Sequence, residues 1–536
     1  MKFSPRPAPV LYPLDSPRLH RRSFIGGSTS MLLALAAGRM LAAEPVTGSA
    51  AVFSGYPFTL GVASGDPSAD GFVLWTRLAP KPLEGGGMKE ESVWVEWRVA
   101  EDEGLTKVVA SGREAAHADW AHSVHVEVAG LKPDRWYWYQ FKAGGEVSPK
   151  ARTRTLESPD RPADRTSALR MTFASCQHWE SGHYTAYEHM LKENPDLVIH
   201  LGDYIYEGKG RDGQFRRHVG DEIKTLTDYR NRHAQYKTDP ALQAMHHAAP
   251  WIVTWDDHEV ENNYAGPFAE EKANSTVEAF LRRRAAAYQA YYEHMPLRVA
   301  CVPKGPDMKL YRGVRHGQLV DFHMLDTRQY RTDQPYGGER HFPGPDVMNP
   351  GGTMLGKTQR EWLFDRMEHS PATWNVLAQQ VMMARADRSP GPDMVCPMDQ
   401  WPAYEVERRA VLKAFHDLKV KNPVVLTGDI HSHWANDLLT DFDNLDSRIV
   451  ASEFVCTSIS SNGDGEAKAR FYDALMAENP FVKYFSNRRG YVSCAISAKT
   501  WRSDYRTVDY ISRPDAPLHT PASFAVDAGR AGLQKA

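Results

Sequence analysis

The sequence has no long apolar run. Its best stretch near the N-terminus, Met31 to Ala37, is cut short by Arg39, far below the roughly 18 residues that a membrane-spanning helix needs. It also lacks an excess of charge of one sign. With 64 Lys+Arg against 67 Asp+Glu the net charge is -3, which gives no electrostatic reason for a nucleic-acid or membrane-surface partner. Neither an internal repeat nor a low-complexity tract organises the chain. Cysteine is scarce: Cys176, Cys301, Cys396, Cys456 and Cys494 are the only five. An odd number leaves at least one thiol unpaired, and the wide spacing resembles neither a small disulfide framework nor a zinc knuckle.

The start of the chain carries an export pattern. Arg21-Arg22-Ser23-Phe24-Ile25 precedes the mild apolar run, and Leu41-Ala42-Ala43 closes it. A basic region, an apolar region and a small-residue exit follow one another as in a secretory signal. The paired arginines resemble a twin-arginine signal. Residues 1–43 are therefore expected to be a signal peptide, and the mature protein to be periplasmic or extracellular. In an exported chain a free thiol calls for burial or a metal.

At 536 residues the chain is too long for one core, given about 150 residues per domain as a prior. Residues 44–160 read as an all-β sandwich. Alternating runs such as Val93 to Trp97, Ser123 to Val128 and Trp136 to Phe141 are punctuated by Gly, Pro and Asp, as in a fibronectin-like sandwich. Glu157 to Asp164 is polar with two prolines and reads as a linker. Residues 161–505 then alternate apolar strands with helices, an α/β pattern. Strands are expected at Leu169 to Ala174, Leu197 to Leu201, Trp251 to Trp255, Leu319 to Leu325, Trp374 to Ala378 and Val424 to Thr427. Helices are expected at Tyr184 to Lys192 and Val277 to His294. In residues 506–536 the stretch Phe524 to Ala536 is helix-capable and reads either as a lid over a site or as a frayed tail.

Every one of these six strands ends in a polar cluster: Ser175-Cys176-Gln177, Gly202-Asp203-Tyr204-Ile205-Tyr206, Asp256-Asp257-His258-Glu259, Asp326-Thr327-Arg328, Gln379-Gln380 and Gly428-Asp429-Ile430-His431. Ligands of open α/β sheets sit outside the carboxyl ends of the strands, so the six ends converge on one site. Asp203, Asp257 and Asp429 offer oxygen and His431 nitrogen, a set suited to hard cations. A carboxylate shared by two ions suits in-line attack on phosphorus, with one ion activating the nucleophile. Cys176 and Tyr206 are unusual partners for calcium or magnesium. A thiolate with a phenolate favours a ferric ion.

At these motifs the sequence resembles the calcineurin-like metallophosphoesterases, and within them the PhoD-type alkaline phosphatases. Gly202 to Tyr206 matches the superfamily's GDxxY block. Asp256 to Glu259 stands in place of GNH and an acid, and Gly428 to His431 in place of GHxH. Ala174-Ser175-Cys176, where other members begin with DxH, and the opening Phe58 to Pro67 resemble the same branch. The resemblance implies a four-layer α/β/β/α metallophosphoesterase sandwich behind the N-terminal β domain. It implies a secreted hydrolase of phosphate mono- and diesters with Fe3+ and two Ca2+. Carried over, Cys176, Asp203, Tyr206 and His431 would hold iron, while Asp203 would bridge to calcium held by Asp257, Asp429 and Asn263. His433 competes with His431, and Asn262 with Asn263. His258 would face substrate phosphate, and Arg328 is expected as a phosphate clamp. A phospholipase D-like activity on lipids or wall polymers is the alternative. A non-catalytic calcium-binding surface protein is the remote one.

Overall fold

The computed structural model describes residues 53–536 apart from 274, 342 and 390; the expected signal peptide, residues 1–43, lies outside them. The six expected strands all form, three in each of two sheets. Leu169–Ala174, Leu197–His200 and Trp251–Val253 run parallel, side by side, within a ten-stranded sheet. Val320–Met324, Trp374–Ala378 and Pro423–Thr427 run parallel within a seven-stranded one.

These strands are buried on both faces, and their period of two divides them between cores. Phe173, Ile199 and Ile252 of the first sheet meet Phe322, Val376 and Leu426 of the second in one shared core. Their neighbours point the other way. Val198 and Val253 pack beneath helices Leu226–Lys237, Pro240–Ala248 and Val277–His294 through Tyr229, Leu242 and Tyr288. On the other sheet Leu377 and Val425 pack beneath Gly356–Glu368 and Glu405–Asp417 through Leu363 and Val411. The helices start on identifiable caps: Thr225 and Asp228 form a reciprocal capping box, and the Thr276 hydroxyl accepts the Ala279 amide at 3.2 Å. The protein is mixed α/β, with its polar strand ends on the carboxyl edges of the two parallel strand sets.

One expectation gains a detail and another is corrected. The N-terminal sandwich is not self-contained. One of its layers, Val62–Gly65, Phe72–Arg77 and Ser123–Val128, continues the ten-stranded sheet, because Val62–Gly65 pairs in parallel with Trp251–Val253. Phe72 and Val126 of that layer pack against Val95, Tyr139 and Phe141 of the second layer. An unpaired sheet edge exposes a row of hydrogen-bonding groups, and pairing removes that cost. The linker residues stand between two sequence textures, and the ten-stranded sheet draws strands from both sides of them.

The C-terminal helix does not form either. Leu518–Asp527 is a strand paired with Thr500–Val508, and Gln534–Lys535 pairs with it in turn. Phe524 and Val526 are buried in the shared core at a period of two. Gly529 and Gly532 take positive φ values of 84° and 103°, which a helix does not accommodate. The alanine content reads as helical, but a free sheet edge beside it decides the outcome. This segment extends the sheet; it is not a helical lid.

Candidate metal centre

The strand ends are held at sharp turns. Cys176, Asp203, Asp429 and His431 have φ of 59°, 55°, 64° and 53°, a left-handed conformation uncommon for residues with a side chain. Each turn is fastened to its neighbour: the Cys176 amide donates to Gly202 O at 3.1 Å and the Gln177 amide to Asp203 O at 3.0 Å. Gly202 has φ of 107°, and a Cβ there would lie 2.5 Å from the Asp256 nitrogen. A Cβ at Gly428 would lie 2.6 Å from Ser175 Oγ. Glycine is thus required for these strand ends to close on one another.

Three overlapping groups of ligand atoms result, each within 4.8 Å: Cys176, Asp203 and His431; Asp203, Asp257 and His258; Asp256, Asp257 and Asp429. Asp203 belongs to the first two groups and Asp257 to the last two. The Tyr206 hydroxyl reaches the first group, 2.9 Å from Asp203 Oδ2 and 3.0 Å from His431 Nε2. His433 is turned away: it is fully buried, and its Nδ1 accepts the Thr457 amide at 3.1 Å. Asn263 reaches the cluster through its backbone, donating to Asp257 Oδ2 at 2.7 Å. The side-chain amides of Asn262 and Asn263 both donate to Glu270.

Arg328 differs from expectation. It is fully buried, and its guanidinium donates to Asp256 through Nε, to Asp399 Oδ2 at 2.7 Å and to Asp429 Oδ1 at 3.0 Å. With those faces taken by carboxylates it is a counter-ion inside the acidic cluster, not a clamp open to phosphate. Arg328→Met leaves these carboxylates without their cation, so it should destabilise the protein by about 3–5 kcal/mol. Thermal unfolding checks this; an unchanged midpoint would contradict the role.

The electrostatics fit a centre that needs positive charge. Burial, reinforced by Asp257, Glu259 and Asp429, pushes the Asp203 carboxyl well above its usual range. Burial also raises Asp429 to about 6, against the pull of Arg328. Burial and the nearby Asp203 raise both the Cys176 thiol and the Tyr206 phenol. His258 goes the other way: burial opposes its charge, but Glu207, Asp203 and Asp257 outweigh that and hold it protonated. Asp203 Oδ1 and Asp256 Oδ2 are buried without a hydrogen-bond partner among the described residues. A buried carboxylate oxygen left so is costly, and a cation is the partner that satisfies it. A thiol, a phenol, an imidazole and several carboxylates make a coherent donor set, so these residues fit bound metal.

Sequence reasoning missed the groups that hold the ligands. Glu259, seen only as part of its motif, accepts the amides of Asp203, Tyr204 and Asp256 at 3.1, 2.5 and 2.8 Å, tying two strand ends together. Glu207 Oε2 lies 2.7 Å from His258 Nδ1 and orients the ring. Its place directly after Tyr206 was the available signal. Gln400 donates to Asp429 Oδ2 at 2.9 Å. Ser461 lies 2.7 Å from the Tyr206 hydroxyl. Neither Gln400 nor Ser461 has a local signature.

Carboxylates, an imidazole and a thiol gather at the carboxyl ends of two packed parallel strand sets, the arrangement of a metal-dependent enzyme. Known proteins make the class specific. The family described as PhoD-like phosphatase matches residues 171–505, and the PhoD-like phosphatase N-terminal domain matches residues 42–157. Alkaline phosphatase D of Bacillus subtilis (strain 168) is 48% identical over 523 residues, covering 96% of this chain and 89% of that protein. A solved structure described as that of PhoD superposes with a TM-score of 0.88 at 49% identity, over 91% of this chain and 93% of its own. The chain belongs to the PhoD-like phosphatase family.

Proposed function

We propose that the protein is an exported alkaline phosphatase and phosphodiesterase whose centre holds one Fe3+ and two Ca2+ on a four-layer α/β/β/α body with a fibronectin-like N-terminal sandwich. The observation that carries this reading is the sharing of Asp203 and Asp257 among three ligand groups. Cys176, Tyr206, His431 and Asp203 would hold iron and make an iron end; Asp203, Asp257, Asp429 and Asn263 would hold calcium and make a calcium end. Metal held there supplies charge that neutralises the phosphoryl oxygens and acidifies the attacking water.

The chain's own residues do the rest. His258, aimed by Glu207 through its Nδ1, is the side chain placed to face an oxygen of the ester. The amides of His258 and Asn263, 2.8 and 2.7 Å from the two Asp257 oxygens, fix that carboxylate. Arg328 and Gln400 hold Asp429. A cavity of about 690 Å3, lined by Glu207, Asn262, Glu261 and Lys224 among others, opens beside His258's partner.

Arg21-Arg22 makes the twin-arginine machinery the exporter. That route carries folded protein, so a thiolate-held metal is inserted in the reducing cytoplasm before transport to the periplasm or cell exterior.

A calcium chelator should abolish activity by removing ions held by carboxylate and amide oxygens, while iron held by thiolate, phenolate and imidazole stays. Added Ca2+ should restore full rates on a monoester and a diester. Restoration by zinc alone in an iron-free protein would contradict the assignment.

A further inference from the structure

Ser461 sits in the loop after strand Ile449–Val455, outside every motif described above. It is buried, and its one hydroxyl joins several parts of the iron end. Oγ lies 2.7 Å from the Tyr206 hydroxyl, donates to the Cys176 carbonyl at 2.9 Å and accepts the His178 amide at 3.3 Å. Arg489, also buried, clamps the same loop. Its Nη1 donates to Ser461 O at 2.7 Å, to Ser458 Oγ at 2.6 Å and to the His431 carbonyl at 3.0 Å. One serine and one arginine thereby touch the chain at Cys176, Tyr206 and His431, the three iron-end residues that do not reach toward calcium.

The proton count at Ser461 then matters. A Tyr206 oxygen bound to metal as phenolate has no proton to give, so any hydrogen bond with Ser461 must run from serine to tyrosine. The serine proton is free to turn. The Cys176 carbonyl keeps the amides of Ser460 and Ser461, each at 3.4 Å, so no buried carbonyl is stranded. The His178 amide still occupies a lone pair of Oγ and holds the oxygen in place.

We propose that Ser461 is a positioning residue for the metal centre: its hydroxyl donates to the Tyr206 oxygen in the loaded enzyme, with Arg489 keeping Ser461 and His431 in register. This rests on the iron reading above. In the loaded enzyme that hydrogen bond would hold the phenolate oxygen in the direction iron needs and lower the energy of its lone pairs, which sets the phenolate-to-iron charge-transfer band. Partners of ligands tune metal affinity and activity by about 10–100-fold.

The test uses the loaded enzyme, with visible absorption and iron content read together for the wild type, Ser461→Ala and Ser461→Cys. Ser461→Ala should keep iron, shift the band to longer wavelength and release iron to a chelator about 10–100-fold faster. Ser461→Cys, a weak donor of similar shape, should fall between; should the alanine variant load no metal, the cysteine variant reads the same shift. A band and release rate equal to wild type in both iron-loaded variants would overturn this proposal alone. A colourless, iron-free wild type would overturn the iron reading and this proposal with it.

Discussion

Cys176→Ser should lose its iron, its visible colour and its activity by about 100-fold or more, judged against the 10–100-fold typical of changes one shell further out. Cys176 lies at the end of a central strand, fully buried, with its sulfur grouped with Asp203 and His431. Burial and the Asp203 charge keep the thiol protonated in the metal-free protein, so its ionisation depends on a cation arriving. A serine hydroxyl is far harder to ionise than a thiol and is a poorer partner for ferric iron. Because Asp203 is shared, calcium should be held less tightly as well. The other cysteines provide the control. Cys301, Cys396, Cys456 and Cys494 are buried and unpaired, and none of them belongs to a ligand group. Their serine variants should keep colour and iron. A fully active, coloured Cys176→Ser enzyme would remove the iron end from the account.

Asp203→Asn should be the more damaging change, with loss of both metals and of activity beyond about 100-fold, since two ligand groups lose a member. It carries a second, opposite signature in the metal-free protein. The folded-state pKa of Asp203 is raised, so its contribution to stability is present below the unfolded value near 4 and is lost as pH rises through the folded value. At pH 8 the metal-free wild type therefore bears the cost of that raised pKa, which asparagine lacks. Metal-free Asp203→Asn should melt above metal-free wild type at pH 8, and the difference should vanish toward pH 4. With metal present the order should reverse. A variant that melts below wild type under both conditions would show Asp203 to be structural rather than a metal ligand.

The part of the site that was legible lay at strand ends. Apolar runs such as Leu169 to Ala174 announce themselves by composition, and the polar residues that follow fall on the same edge of a parallel sheet. The gathering of Cys176, Asp203 and His431 at one place could therefore be expected without coordinates. Arg328 was visible but misjudged. Its position at a strand end was right, yet only the fold shows Asp399, some 70 residues away, meeting it and closing it off from substrate. Glu207, Ser461 and Arg489 support the ligands through contacts that no local pattern encodes. Ser461 reaches Cys176 across |i−j| of 285, a separation at which spacing carries no information. The same limit governs the fold. The strands of residues 62–128 were readable one by one, but their joining of the ten-stranded sheet is set by which edge lies open. The C-terminal segment became a strand for that reason too.

The most direct test of the whole account is the metal content of the purified, exported protein, measured together with its visible spectrum. The account predicts one iron per chain with calcium beside it, a charge-transfer band in the visible, and loss of that band in Cys176→Ser. Stoichiometric zinc, no iron and no colour in an active enzyme would contradict it.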